Sequence, residues 1–317
     1  PCLLKKCHKN ASVCIDRFPF WAQCICDRGY AGNGRSHCVE CGISYVQPNL
    51  ERIVGGKDSL KSSWPFAVYI IQTYQGQYDI KGSSRLINFS WVCGGTILNQ
   101  RIILTAAHCI QDKFFGYEDE QGNSYTLEIQ WNQWYSNVES TLEVYAGVND
   151  IRNINKSQRL PVKRVNKHEQ FNEYTLLNDV AIIELNENIE SRFDIQFACL
   201  PNSSSTVYPE VNRSAFIIGW GRTSENGYPS SVLQNSKIKI FQADKCSRIE
   251  VDVEKNWDSQ ICAGSLDGSR DTCQGDSGGG LFVTEFLEPN QSQYFVSGIV
   301  SYGDGCARVG KPGIFQI

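Results

Sequence analysis

Short apolar runs rich in β-forming residues recur from Ile53 onward, and turn residues separate them. The runs do not alternate with helical patterns, as they would in a parallel α/β sheet. The pattern therefore predicts an all-β fold, either a sandwich or a barrel. The predicted strands are Phe66–Ile71, Arg101–Leu104, Leu142–Tyr145, Val180–Leu185, Ala215–Ile218, Ser236–Ile240, Gly280–Val283 and Tyr294–Val300.

The first 41 residues have few apolar runs and many turn residues, and they contain seven of the 14 cysteines. Such a density of cysteine indicates disulfides or a metal. The CxxC pair formed by Cys38 and Cys41 has no second pair to complete a zinc site. We therefore expect disulfides, which a segment this short needs because its core is small. Spacing alone does not choose among the pairings.

Six N-x-[ST] sequons agree with an oxidising, extracellular setting. Together with the cysteines they predict a secreted glycoprotein. The acceptor residues are Asn10, Asn88, Asn155, Asn202, Asn212 and Asn290.

Composition narrows the class of protein. Hydrophobic residues make up 41% of the 317 residues and charged residues 20%, which fits a globular protein and excludes a disordered chain. The net charge is −4 and no run of Lys and Arg occurs, so we expect no nucleic-acid partner. No apolar stretch reaches the roughly 18 residues of a membrane helix. The absence of Met indicates a mature form or a fragment that has lost its signal peptide.

The change from a cysteine-rich segment to one with recurring β-forming runs divides the chain into three parts. Residues 1–41 form a small disulfide-rich module. Residues 42–52 contain Pro48 and show no helix-like or strand-like period of apolar residues, which predicts a linker. Residues 53–317 form the β-rich domain.

Three short strings carry candidate chemistry: LTAAHC at 104–109, NDVAII at 178–183 and DTCQGDSGG at 271–279. Singly, each has an ordinary explanation, namely a structural histidine, a turn aspartate and a serine in a tight bend. Together, in the order His, Asp, Ser, they resemble the trypsin-like (chymotrypsin-family) serine peptidases. The resemblance covers residues 53–317.

The resemblance implies a fold of two six-stranded antiparallel β-barrels. It implies that His108 takes the proton of the Ser277 hydroxyl, and that Asp179 orients His108. Backbone N–H groups of Gly275 and Ser277 would form the oxyanion hole. No cofactor or metal is expected in the reaction.

The same resemblance places Asp271 at the base of the primary specificity pocket. A carboxylate there needs a cationic partner, which a substrate Arg or Lys supplies. Gly303 and Gly313 match the glycines that keep the pocket open, and Thr272 adds a hydroxyl beside Asp271. Ser301 matches the strand that pairs with the substrate backbone. Expected partners are therefore protein substrates cut after Arg or Lys, and protein protease inhibitors.

Residues 52–56, with the sequence RIVGG, resemble the family's activation site. A basic linker that meets a strand explains Arg52 but not the four residues after it. Cleavage after Arg52 would free the Ile53 amine to pair with Asp276, and pairing two buried charges offsets their desolvation. The sequence joins Arg52 to Ile53 and so predicts a zymogen.

The first six cysteines and the Gly-rich string at 29–34 resemble an epidermal-growth-factor-like (EGF-like) module over residues 2–38. Asp16 lies two residues after the third cysteine, as in calcium-binding members. However, the downstream aromatic residue is displaced and no acidic stretch precedes Cys2, which favours a rigid spacer or docking module over a calcium site. The resemblance implies the pairs Cys2–Cys14, Cys7–Cys24 and Cys26–Cys38.

In the β-rich domain the resemblance implies the disulfides Cys93–Cys109, Cys246–Cys262 and Cys273–Cys306. Cys41 and Cys199 are then left over, and their surroundings resemble the family's tether between propeptide and catalytic domain. We expect a Cys41–Cys199 bond that holds the module after cleavage. The alternative is a pair of free or intermolecular thiols.

Two segments, residues 72–90 and 110–140, are expected to form long loops. The second is acidic and aromatic, and it either packs on itself or forms a rim that selects a basic macromolecular substrate. The chain ends soon after Gly313, without the C-terminal helix that the resemblance implies. Either the sequence is truncated or this form lacks that helix.

These observations favour a secreted serine endopeptidase zymogen in an extracellular cascade such as clotting or immune defence. The EGF-like module would then dock the enzyme to a surface or cofactor protein. Two alternatives stay open: a catalytically weak peptidase homologue that acts as a binding protein, and a digestive or venom trypsin.

Overall fold

The computed structural model describes residues 7–11, 13–17, 21–27, 30–32, 34–35, 38–49, 57–132, 134–201, 209–247, 249, 254–288 and 291–317. Within these ranges the regular structure is β-strand, interrupted by short 3-10 helices at Ala107–Cys109, Val138–Thr141, Ile151–Asn153, Lys156–Gln158 and Ala243–Cys246. No helix in the described ranges has the length and apolar character to cross a membrane.

The strands of the described residues are numbered in chain order. They are β1 Val13–Arg17, β2 Trp21–Ile25, β3 Tyr30–Gly32, β4 Cys38–Glu40, β5 Lys57–Asp58, β6 Ala67–Ile80, β7 Ser83–Ile97, β8 Ile102–Thr105, β9 Phe114–Glu118, β10 Ser124–Glu128, β11 Leu142–Ala146, β12 Arg159–Leu160, β13 Val162–Lys167, β14 Ala181–Leu185, β15 Ser214–Gly219, β16 Gln234–Phe241, β17 Gln260–Gly264, β18 Gly280–Glu288, β19 Gln291–Tyr302 and β20 Gly313–Gln316.

Two large antiparallel sheets form the body of the protein. The first has the order β12-β11-β6-β7-β8-β14-β13 and is nearly closed. The second has the order β15-β18-β19-β20-β17-β16-β5, and an additional β15–β16 pairing closes six of its strands into a barrel. The predicted all-β, two-barrel fold is thereby confirmed.

One hydrophobic core joins the two barrels. It contains fully buried side chains from the first barrel, such as Ile103 and Ile183, and from the second, such as Leu281 and Phe295. An aromatic cluster around Trp64 lies beside it, with Trp64 ring-centroid distances of 5.0 Å to Tyr294 and 5.6 Å to Phe282. Aromatic packing of this kind fixes how the barrels meet, and the candidate active site is built across that junction.

The expected long loop at residues 72–90 is instead the outer half of a regular hairpin. Strands β6 and β7 pair without interruption from Ala67↔Thr96 to Ile80↔Ser83. The two-residue turn has positive φ at both Lys81 and Gly82, as the twist of a tight hairpin requires. The prediction of a loop was wrong. Residues 72–80 alternate polar and apolar side chains, which is a strand pattern, and the prediction did not take that alternation into account.

The segment at 110–140 is also largely a hairpin, made of β9 and β10. Together with the outer half of β6–β7 it forms what we call the hairpin lobe, residues 72–91 and 112–135. The lobe has its own core of buried Tyr74, Tyr78, Ile87 and Phe115, and Tyr74 and Tyr78 donate hydrogen bonds of 2.6 Å to main-chain carbonyls on the other hairpin. The two insertions therefore pack on each other.

The N-terminal module contains two small hairpins, β1–β2 and β3–β4. The disulfide Cys26–Cys38 links the two hairpins, and Cys7–Cys24 joins the residues before β1 to β2. Cys2 lies outside the described residues, so the Cys2–Cys14 pair stays a prediction, as does the EGF-like assignment. The calcium prediction rests on the Asp16 side chain, which is outside the described part as well.

Residues 42–49 were expected to be a linker, but they lie against the large domain. The Gly42 N–H donates to the Phe197 carbonyl at 2.6 Å, and the Gly42 carbonyl accepts from the Tyr294 N–H at 2.9 Å. Pro48 is buried. Main-chain pairing of this kind needs no side-chain pattern, which is why the sequence did not reveal it.

Candidate active site

His108 and Asp179 come together at one end of the first barrel. His108 lies in the 3-10 turn directly after β8, and Asp179 lies two residues before β14. The Asp179 carboxylate accepts from the His108 backbone N–H at 2.9 Å, and its other oxygen lies 2.7 Å from His108 Nδ1. Two bonds from one carboxylate fix both the main chain and the ring of His108, and they leave Nε2 facing away from Asp179.

Asp179 has no exposed surface. Burial by itself raises its pKa, but the charge of His108 and hydrogen bonds from His108 and Ser301 outweigh burial and bring the pKa below the ordinary value. The Asp179 N–H donates to the Gln316 side chain at 3.2 Å. Asp179 is therefore held as a carboxylate by partners from both barrels.

Ser277 lies between the barrels, three residues before β18. Its carbonyl accepts from the Gly94 N–H at 2.7 Å. The next residue, Gly278, has φ of +77°, and a Cβ there would lie 3.0 Å from the Cys109 sulfur and 2.2 Å from Thr105 Oγ1. Only glycine allows this approach, which brings Ser277 against the turn that carries His108.

The backbone before Ser277 leaves two N–H groups available. Gly275 has φ of +99°. Within the described part of the chain, the N–H groups of Gly275 and Ser277 donate to no protein acceptor. These two N–H groups are thereby available to donate to a bound oxyanion.

Asp271 lies a short distance along the same segment. Its carboxylate accepts from the Thr272 N–H at 2.8 Å and the Ala307 N–H at 3.1 Å. Burial, together with the smaller effect of the nearby Asp276 charge, raises the pKa of Asp271 to about 6 against these bonds. A Cβ on Gly313 would lie 3.3 Å from Asp271 Oδ1. The absence of side chains at Gly313 and its neighbour Gly303 therefore keeps access to the carboxylate open.

Asp276 lines the same cleft as Asp271 and Thr272. It accepts from the Gly221 N–H at 2.8 Å and the Cys273 N–H at 2.9 Å. Burial raises its pKa to about 6 in spite of these bonds. No ion pair between described residues includes Asp276. Arg52 and Ile53 lie outside the described residues, so their expected link to Asp276 stays a prediction.

The large domain contains the disulfides Cys93–Cys109, Cys246–Cys262 and Cys273–Cys306. A further disulfide joins Cys41 to Cys199 across 158 residues of sequence. Cys93–Cys109 lies beside His108 and Cys273–Cys306 lies beside Asp271, so disulfides stabilise both parts of the candidate site.

Two groups of metal-ligand atoms lie close together in the described part of the chain, Cys93–His108–Cys109 and Cys7–Cys14–Cys24. All of these cysteines are in disulfides. A metal binds the free thiolate, so neither group is a candidate metal centre.

Sequence reasoning missed how the side chains of Ser301 and Gln72 act. Ser301 was expected on the substrate-binding strand, and its hydroxyl in fact donates to Asp179. The buried Gln72 side chain bonds both the N–H and the carbonyl of Gln111, and the Gln111 side chain donates to the His108 carbonyl at 2.8 Å. A glutamine at the end of the apolar run 66–71 was the available signal.

Among the sequon asparagines, Asn88, Asn155 and Asn212 are exposed, Asn10 is partly buried, and Asn202 and Asn290 lie outside the described residues.

The fold and the site define a serine endopeptidase architecture, and comparison with known proteins agrees. The family model for trypsin matches residues 53–316, and the chain belongs to this family. The proclotting enzyme of Tachypleus tridentatus is 29% identical over 87% of this chain and 65% of its own length. The suppressor of tumorigenicity 14 protein homolog of Bos taurus is 29% identical over 83% of this chain and 26% of its own length. The chain thus spans less than two thirds of either relative.

Proposed function

We propose that the chain is the zymogen of a secreted serine endopeptidase that hydrolyses peptide bonds after Arg or Lys. The observation that carries the proposal is the hydrogen-bonded pair of His108 and Asp179, on a turn that packs against the segment carrying Ser277. The similarity to a proclotting enzyme supports a place in an extracellular cascade such as clotting or immune defence.

In the proposed reaction His108 Nε2 takes the Ser277 hydroxyl proton while Ser277 Oγ attacks the scissile carbonyl carbon. Asp179 holds the Nδ1 proton and stabilises the imidazolium that forms. The N–H groups of Gly275 and Ser277 bind the oxyanion. His108 then gives its proton to the leaving amine, and water hydrolyses the acyl-enzyme by the same steps.

Arg or Lys specificity follows from the chemistry of Asp271. A carboxylate whose pKa is raised by burial is stabilised by a cation that enters its pocket. The guanidinium of Arg can bind both carboxylate oxygens, and Lys can bind through its ammonium. Thr272 and the end of strand β19, which contains Ser301, would complete substrate binding.

Activation would depend on Asp276 and its cleft. Cleavage after Arg52 would free the Ile53 ammonium, and Asp276 is a carboxylate whose pKa is raised and that has no ion-pair partner among the described residues. Strand β5 begins at Lys57 and pairs with Asn235 on the border of this cleft. Four extended residues reach at most about 13–14 Å, so the mechanism requires Asp276 to lie within that distance of Lys57.

Arg52→Gln should leave an inert precursor that trypsin cannot activate, because the Ile53 amine is never released. The measurement is hydrolysis of a small arginyl substrate before and after trypsin treatment and trypsin removal. Arg52→Lys is the matched control and should activate like the wild type. Full activity of the uncut Arg52→Gln chain would contradict the mechanism.

The Cys41–Cys199 disulfide supports a role for the N-terminal module after activation. It would keep an EGF-like module attached to the active enzyme, where the module could bind a surface or cofactor protein. Protein protease inhibitors would bind the same cleft as substrates.

The activated protein should run as one species on electrophoresis without reductant. With reductant it should separate into a light chain ending at Arg52 and a heavy chain beginning at Ile53. The double variant Cys41→Ser, Cys199→Ser should separate without reductant. Separation of the activated wild type under oxidising conditions would show that no tether exists.

A further inference from the structure

The 3-10 turn that carries His108 ends in carbonyl groups that side chains bind. The chain leaves this turn at Ile110, which is extended, and a helix end leaves its last carbonyls without partners in the helix itself. The Gln111 side chain donates to the His108 carbonyl at 2.8 Å. Lys167 donates to the Ile110 carbonyl at 3.1 Å. Gln72 donates to the Gln111 carbonyl at 2.6 Å.

Gln72 has the most defined position of these side chains. It lies in β6 and is 1% exposed. Its oxygen accepts from the Gln111 N–H at 2.8 Å, and its amide nitrogen also donates to the Thr141 hydroxyl oxygen at 2.9 Å. The Thr141 hydroxyl itself donates to the Val138 carbonyl at 2.7 Å, so its oxygen has to accept. Only one orientation of the Gln72 amide satisfies all of these bonds.

Packing alone does not require a glutamine at this position. Gln72 faces the same side of β6 as Ile70 and Tyr74, which are both buried, so an apolar side chain would be ordinary there. A buried amide is costly unless its polar atoms are paired. The Gln72 amide pairs with both main-chain groups of Gln111, which indicates that its role is to hold Gln111.

These bonds hold His108 on the side away from Asp179. Asp179 binds the backbone N–H and Nδ1 of His108, and Gln111 binds the carbonyl of the same residue. The hairpin lobe begins at Gln72 on one hairpin and directly after Gln111 on the other. The base of the lobe is therefore hydrogen-bonded to the turn that carries His108.

We propose that Gln72 and Gln111 are positioning residues, which hold the turn of His108 where its Nε2 can take the proton of Ser277. The proposal rests on the proposed function and adds the hairpin lobe to the structure that supports catalysis. Gln72 orders Gln111, Gln111 holds the His108 carbonyl, and neither touches the reacting atoms. Loss of these bonds lets the turn move, and a displacement of about 1 Å can slow a reaction by about 10²-fold.

The test uses the full-length protein cleaved at Arg52 and a small arginyl amide as substrate. Gln111→Met keeps the length of the side chain but removes the donor, and should lower kcat about threefold to tenfold, the range expected for one neutral hydrogen bond. Gln111→Lys keeps a donor of similar reach and should restore kcat. KM should stay at the wild-type value in both variants, because neither side chain binds the substrate.

Gln72→Met removes every bond of the Gln72 amide and should lower kcat by about 10–100-fold. The double variant Gln72→Met, Gln111→Met should be no slower than Gln72→Met alone, because the two residues act in series. The rate at which a fluorophosphonate without a cationic group modifies Ser277 should fall in parallel with kcat. This reaction needs the base His108 but not the specificity pocket.

Gln77→Ala is the matched control. Gln77 lies on the same strand, is exposed, and donates to the Ser84 hydroxyl at 3.1 Å, away from His108. This variant should keep the wild-type kcat. Thermal unfolding is measured for every variant, and kinetics are compared at a temperature where all are folded. If Gln72→Met does not fold, the partly buried Gln111 pair decides the question.

A wild-type kcat in folded Gln111→Met would overturn the proposal, as would a rise in KM at constant kcat. Failure of the proposed function would look different. In that case the cleaved wild type would not hydrolyse the arginyl amide, or Ser277→Ala would hydrolyse it equally fast.

Discussion

Ser277→Ala should reduce kcat of the activated protein on a small arginyl substrate by on the order of 10⁶-fold, as removal of the nucleophile does in serine peptidases of another fold. Only the binding site and the oxyanion donors would then act on the substrate. KM should change little, because the side chain that is removed does not bind the substrate cation. The measurement is steady-state kinetics after cleavage at Arg52.

His108→Ala is the matched comparison for Ser277→Ala. Because the base and the nucleophile act as one unit, the double variant should be no slower than either single variant. Additive losses would mean that the two residues work in separate steps. If the Ser277→Ala protein kept more than a small fraction of the wild-type activity, Ser277 could not be the nucleophile.

Asp271→Ser should lower kcat/KM for Arg and Lys substrates by about 10²–10⁴-fold, because breaking a buried ion pair leaves the substrate cation unpaired. Substrates with an apolar residue before the scissile bond should lose far less. Measurement of kcat/KM for matched Arg, Lys and Leu substrates separates loss of specificity from loss of the fold. Wild-type preference for Arg in the variant would contradict the pocket assignment.

The raised pKa of Asp271 adds a pH signature to this experiment. Since burial places the pKa of the free protein at about 6, the carboxylate is protonated below that pH and loses its charge. KM for Arg substrates should therefore rise as pH falls through 6. This rise in KM near pH 6 should be absent from the residual activity of the Asp271→Ser variant.

The catalytic candidates could be predicted from sequence because each is a residue type with a specific chemical role and lies within a short recognisable string. His108, Asp179 and Ser277 each lie in a short string, and the structure brings the three strings together at the junction of the barrels. The strand runs predicted the all-β class, because an alternating or apolar run indicates a half-buried or buried strand. The two-barrel arrangement came from the family resemblance.

The parts that the sequence did not reveal depend on partners far apart in the chain. The Ser301 hydroxyl donates to the Asp179 carboxylate, and the Asp179 N–H donates to the Gln316 side chain. These bonds join both barrels, and no local pattern encodes them. The sequence predicts loops for the hairpin lobe, because the two halves of the lobe bury each other's aromatic side chains only after both have folded. Tyr74, for example, is buried by residues that follow it by more than 40 positions, such as Phe115 and Tyr135.

The central claim is that Ser277 cuts peptide bonds after Arg or Lys once the chain has been cleaved at Arg52. The most direct test is to cleave at Arg52 and digest a peptide library in which every residue type precedes a scissile bond, reading the products by mass spectrometry. We predict cuts only after Arg and Lys with the wild type, and none with Ser277→Ala. Cuts after other residues, or the same cuts with Ser277→Ala, would contradict the account.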